Sequence, residues 1–279
     1  MESKDLNSEP LLQTSEKDEM AERVSQVDLY SPKLRNWNFI AFLVQLLTGI
    51  TLLSITDYDK KYYWYTDFTG EIDDEGRFGE PGSNRVAGVA VGMLAGIFLL
   101  LSALDHFLVA LPFRAVYERM LIRNQNHFRW GEYAVSAGLM RVMIGMLSGV
   151  TSIHLLFAIF GLTMTTMIFG ALFEAENGPK RISGEPISMK ALWLGFIPHA
   201  FSWAIILCYF FEAVANSNPP DFVWSIVFIL FFLDLTFAVL LYAQWSVCEE
   251  YLAGEIGFII LSLTSKQLLA WINYGGGNR

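Results

Sequence analysis

The amino-acid sequence predicts an all-α protein, a bundle of seven membrane-spanning helices, on three observations. Of the 279 residues, 53% are hydrophobic and only 17% charged, whereas a soluble domain carries about 25% charged residues. Apolar runs recur along the chain, each close to the roughly 20 residues a spanning helix needs. None of these runs shows the short, strict alternation of a barrel strand. In lipid, that leaves internally hydrogen-bonded helices.

Taken in order, residues 1–31 read as a disordered acidic tail. They begin polar and charged, so no cleavable signal sequence is expected. The membrane domain spans 32–273, with helices at about 37–56, 86–110, 130–150, 154–173, 191–215, 222–245 and 252–273, and a short tail at 274–279. The first loop, 57–85, holds eight acidic side chains and opens on Tyr58, Tyr62, Tyr63, Trp64 and Tyr65, as suits a membrane interface. The link at Gly149–Ser152 is so short that the third and fourth helices should be antiparallel neighbours. Paired prolines within Asn216–Asp221 separate the fifth and sixth.

Basic residues beside the spans set the orientation. Nine lie on the N-terminal side (Lys33, Arg35, Arg114, Arg119, Arg123, Arg129, Lys180, Arg181 and Lys190) against five on the other (Lys60, Lys61, Arg77, Arg85 and Arg279). The expected N-terminus is therefore cytoplasmic and the C-terminus exoplasmic, in a multi-pass protein of the cell membrane. No basic stripe points to nucleic acid. Cys208 and Cys248 form no disulfide framework of the secreted type.

Ionisable groups inside spans are costly and mark function. Seven stand out: Asp105, His106, Glu132, Arg141, Glu212, Asp234 and Lys266. Lys266, in LLSLTSKQLLAW, lies too far from a helix end to snorkel easily. A buried amine must lose its proton, pair with an anion or react, and an imine with an aldehyde is one such use. A structural ion pair is the alternative. Ser262, one turn earlier, shares its face. Glu132 is the best anion for a protonated imine, although an interfacial glutamate near a helix start explains it equally well. Arg141, nine residues on, falls on the opposite face of the third helix and is expected to pair away from the pocket. Asp105, Glu212 and Asp234 form either a proton route or isolated helix–helix contacts. His106 is a proton-holding group or a satisfied core histidine. His199, Trp203, Phe231, Phe232 and Phe237 line the later helices with aromatics, which suit a long conjugated ligand but are common in any membrane core.

The segments LSALDHF (101–107), RNQNHFRWGEY (123–133) and GFIILSLTSKQLLAW (257–271) resemble the heliorhodopsins, and the likeness extends over nearly the whole membrane region. The resemblance implies seven helices with the inverted orientation, a homodimer, and a first loop folded as a small sheet. It implies all-trans retinal on Lys266, with Glu132 as counterion, Ser262 as the pocket serine and His106 in a polar cluster on the cytoplasmic side. Ser136 and Phe237 complete the candidate chromophore-binding set. The chain departs from the family pattern at Gln45, where a histidine is frequent, at His199, where tryptophan is common, at Asp234 and Leu235 near a usual amide, and at Arg141 in place of an aliphatic residue.

The function implied is a light receptor and not an enzyme, with a slow photocycle that serves signalling. A light-driven or light-gated proton transporter is the first alternative. A regulator of an unidentified protein bound in the membrane or at the cytoplasmic face is the second. A hormone-type seven-helix receptor fits poorly, because its orientation is reversed and no outer disulfide is evident.

Overall fold

The computed structural model describes residues 8–247 and 250–277, with side chains over 20–247 and 250–276. Residues 1–7, Cys248 and Arg279 lie outside them. Eight helices and one hairpin follow in order: α1 Ser8–Ile55, β1 Tyr62–Phe68, β2 Gly82–Val89, α2 Val91–Ala110, α3 Arg114–Ile122, α4 His127–Leu147, α5 Ile153–Ile182, α6 Lys190–Ser217, α7 Asp221–Ser246 and α8 Tyr251–Gly277.

Six of the helices (α1, α2, α5, α6, α7 and α8) are long and apolar enough to cross a membrane. The 21-residue α4 is about as long as a bilayer core is thick. It carries Arg129, Glu132 and Arg141, which take it out of that apolar set. It is instead the central helix, packed against α2, α5, α6 and α7, with most of its length buried. Polar residues are tolerated there because neighbouring helices, and not lipid, surround them.

The expected tail is largely helical. From Ser8 the chain runs unbroken into the first span, passing Pro32, whose missing N–H removes one rung of the ladder. A polar helix of this kind needs tertiary contacts to persist. Val27 and Leu34 are buried in one cluster with Tyr117 and Leu121 of α3. The Tyr30 hydroxyl donates to Glu250, and Ser31 joins Arg114 and Glu118. The short α3, absent from the expected elements, is the dock for this segment.

Other boundaries shift for local reasons. Residues 86–89, expected to open the second span, pair in β2 instead, with Val89 opposite Tyr62 and Gly82 opposite Phe68. The hairpin is tied to the α4–α5 turn. Tyr65 N–H donates to the Thr151 carbonyl at 2.9 Å and the Ser152 hydroxyl to Asp67 at 2.8 Å. At its tip the Asp73 carboxylate accepts from the amides of Glu75 (3.0 Å) and Arg77 (2.8 Å), around Gly76 at φ +78°. The α4 helix starts three residues early because the Asn126 side chain caps the Arg129 amide at 3.0 Å. It ends in a turn that requires Gly149 at φ +102°. The α5 helix runs nine residues past the expected 173, because Glu174 and Asn177 are buried with partners rather than solvated. The α8 helix continues to Gly277, into the expected C-terminal tail.

Two apolar layers fill the bundle. One is built on Phe98, Met143, Trp203 and Phe210. The other is built on Trp130, Phe173, Trp245 and Phe258. The candidate site lies between them.

Candidate functional site

The middle of α8 brings Ser262 and Lys266 onto one face, four residues apart. Lys266 is 2% exposed. Its Nζ donates to Glu132 Oε1 at 2.8 Å, to Oε2 at 3.0 Å and to Ser262 Oγ at 3.0 Å. Glu132 also accepts from the Ser102 hydroxyl of α2. Three helices therefore converge on one buried ion pair. Such a pair persists only when its hydrogen bonds are satisfied, since both charges have left water. Lys266 Nζ also lies 5.2 Å from the centre of the Tyr133 ring.

From this pair a cavity of about 120 Å³ extends away from α8. Apart from Lys266 and the serines its walls are mainly apolar: Trp130, Tyr133 and Met140 from α4, Met167 and Phe169 from α5, Leu192 and Phe196 from α6, and Phe237 and Leu241 from α7. Phe237 stands edge-on to Tyr133, ring centres 5.6 Å apart. Ser136, fully buried one turn beyond Glu132, lines it too. Gly170 is required: a Cβ there would come within 2.1 Å of the Trp130 ring, which packs against the bare backbone. A largely apolar chamber with a buried amine in its lining suits a hydrophobic aldehyde.

The structure thus brings together Lys266, Glu132, Ser262, Ser136 and Phe237. His106 stands apart from the chamber. Its Nδ1 lies 2.7 Å from Asn38 Oδ1, and it borders a polar cavity of about 20 Å³ with Asp105, Tyr117, Asn126, Arg129 and Glu255. Glu132 lines that polar cavity, and Tyr133 and Phe258 line both it and the chamber. Gln45, where the resemblance places a histidine, is fully buried with neither amide atom partnered among the described residues.

One expectation is corrected. Arg141 and Glu132 do occupy opposite sides of α4, yet Arg141 lines the chamber. At about 100° per residue, positions 133, 136, 137 and 140 fan out between the two. The chamber covers that half of the helix, with Glu132 at one edge and Arg141 at the other. Arg141 donates to Asp234 of α7, which also accepts from Trp203 Nε1 at 3.1 Å. His199 of α6 lines the same end. Glu212 is exposed and outside the group.

Sequence reasoning missed a second ionic centre. Arg129, counted among the loop cations, is 5% exposed and pairs with both Glu174 of α5 and Glu255 of α8. Asn126 N–H and Trp130 Nε1 also donate to Glu174, at 2.9 and 2.7 Å, and Gln244 Nε2 donates to Glu255 at 3.1 Å. The signal lay in two carboxylates embedded in apolar stretches near helix ends.

With this geometry in hand, comparison with known families is decisive. A model of the heliorhodopsin family matches residues 34–277. No curated protein matches the chain.

Proposed function

The chain belongs to the heliorhodopsin family, multi-pass membrane proteins of the retinal-binding rhodopsin type, and on that premise we propose that it is a photoreceptor carrying all-trans retinal on Lys266. The observation that supports this most is the Lys266–Glu132–Ser262 triad beside a largely apolar chamber. We further read α4 as the seventh span and the N-terminus as cytoplasmic, on the balance of basic residues.

Retinal fits the residues present. Among the described residues Lys266 is the one lysine lining the chamber, aromatic and aliphatic side chains form most of its walls, and Gly170 leaves room for the Trp130 ring. Joined to Lys266 Nζ, the retinal supplies visible absorption and light-driven isomerisation. The protein's own groups do the rest. Glu132 compensates a positive charge at that nitrogen, and burial strengthens the attraction because little water screens it. Ser102 and Ser262 fix the carboxylate and the amine, so each has a defined partner to lose when the nitrogen moves. Tyr133 and Phe237 hold one wall rigid. Displacement at Nζ is felt at once on α2, α4 and α8, the coupling that a two-state signal requires.

Reconstitution with all-trans retinal is expected to give a visible band that Lys266→Ala abolishes. A pigment that survives that substitution would overturn the assignment. A transport reading has one observation in its favour. Titratable groups border both sides of Lys266, Asp105 and His106 beyond Glu132, and Asp234 and His199 across the chamber. Voltage clamp under flash illumination discriminates: receptor function gives no current, proton transport a pH-dependent one.

A further inference from the structure

The chamber has a second polar end that the receptor reading leaves without a task. Arg141 is 4% exposed, and while one arm of its guanidinium holds Asp234, its Nη1 is buried with no partner among the described residues. His199 Nε2 is likewise buried without a partner among them. Both residues line the chamber, and so does Asp234. Unpaired donors buried in an apolar site are unfavourable, each by enough to change an equilibrium several-fold. The guanidinium also stacks on Trp203, 4.3 Å from its ring centre, which fixes its position at this end of the chamber.

Their position defines what they would meet. The α8 helix, which carries Lys266, packs on α1, α2 and α7, whereas α6, which carries His199, packs on α5 and α4. His199 therefore stands on the wall across the chamber from the amine. A retinoid joined to Lys266 would occupy the chamber between the amine and that wall, with its ring end towards the wall. A hydrocarbon ring would leave both donors unsatisfied. A ring bearing an oxygen would accept from Arg141 Nη1 or His199 Nε2, and a hydroxyl would also donate to Asp234.

We propose that Arg141, Asp234 and His199 form a hydrogen-bonding site for a ring-oxygenated retinal, and that this chain prefers such a chromophore to retinal itself. The proposal rests on Lys266 as the attachment point. It adds a specificity determinant at the opposite end.

The test is titration of purified, retinal-free protein with all-trans retinal and with all-trans 3-hydroxyretinal, read by quenching of tryptophan fluorescence and by growth of the visible band. The wild type is expected to bind the hydroxylated form about tenfold more tightly. His199→Phe, and separately the charge-balanced pair Arg141→Met with Asp234→Leu, are expected to bring the ratio of the two affinities towards one. His199→Gln, which keeps a donor, retains part of the preference. A ratio near one in the wild type with the band intact overturns the ring-end site alone, and so does a preference that survives both variants. Absence of a Lys266-dependent band with either retinoid overturns the attachment instead.

Discussion

At the scale of single residues, the molecule is organised by charges that have no water to turn to. Removing one member of a buried pair strands the other, which typically costs about 3–5 kcal/mol. Glu132→Gln in the retinal-free protein should therefore lower thermal stability markedly, and adding Lys266→Met should recover most of it. Thermal unfolding of the two variants in detergent checks this, and equal losses in both would contradict it. The same cost explains what was readable in advance. Lys266 and Glu132 were legible because an ionisable side chain within or bordering an apolar run demands a partner. Arg129 was not, since it stands near Arg123 at a helix start and looks like an interfacial cation. Its burial depends on Glu174 and Glu255, distant in sequence and invisible to local pattern. Arg141 shows a subtler failure. Its helical angle was read properly, but the width of the chamber around α4 is a property of the neighbouring helices.

At the scale of elements, two ionic centres lock α4 in place: Lys266–Glu132 to α8, and Arg129 to α5 and α8. Arg129→Leu leaves two carboxylates facing each other without their cation, so it should destabilise by several kcal/mol. Arg129→Leu combined with Glu174→Gln and Glu255→Gln should be markedly less damaging, as chemical denaturation would register. Gly170→Val forces a branched side chain into the Trp130 ring and is expected to cost about 1–3 kcal/mol, with slower chromophore uptake. The hairpin obeys a different rule. The backbone amide of Arg77, and then its side chain, hold the Asp73 carboxyl below its ordinary value of 3.8. A lowered folded value means the contribution is full above that pH and fades as pH falls through the folded value. Amide exchange at Gly76 and Arg77 should accelerate at pH 2–3 relative to pH 6, after correction for intrinsic rates. A small sheet in the first loop was implied by the family resemblance; only the end of β2 was hidden, because it runs straight into α2 with no break between apolar residues.

At the scale of the whole molecule, six apolar helices and a polar central one make an arrangement whose outer ring tolerates lipid while its axis does not. The ring was legible from hydropathy, and the axis only once α4 was seen enclosed. An epitope on the N-terminus should be reached by antibody only after permeabilisation, and one after Gly277 without it. The reverse pattern would invert the orientation argued from the basic residues. The length of α1 adds a mechanical consequence. Its 48 residues make a rod of about 72 Å, more than twice the thickness of a bilayer core. One stretch of it packs on α8, the helix that carries Lys266. A helix seated on a part that shifts would work as a pointer: a tilt of about 5° at its base would swing a point about 40 Å away through some 3–4 Å. An event confined to one buried nitrogen would thereby become a displacement large enough for another protein to sense, well outside the membrane.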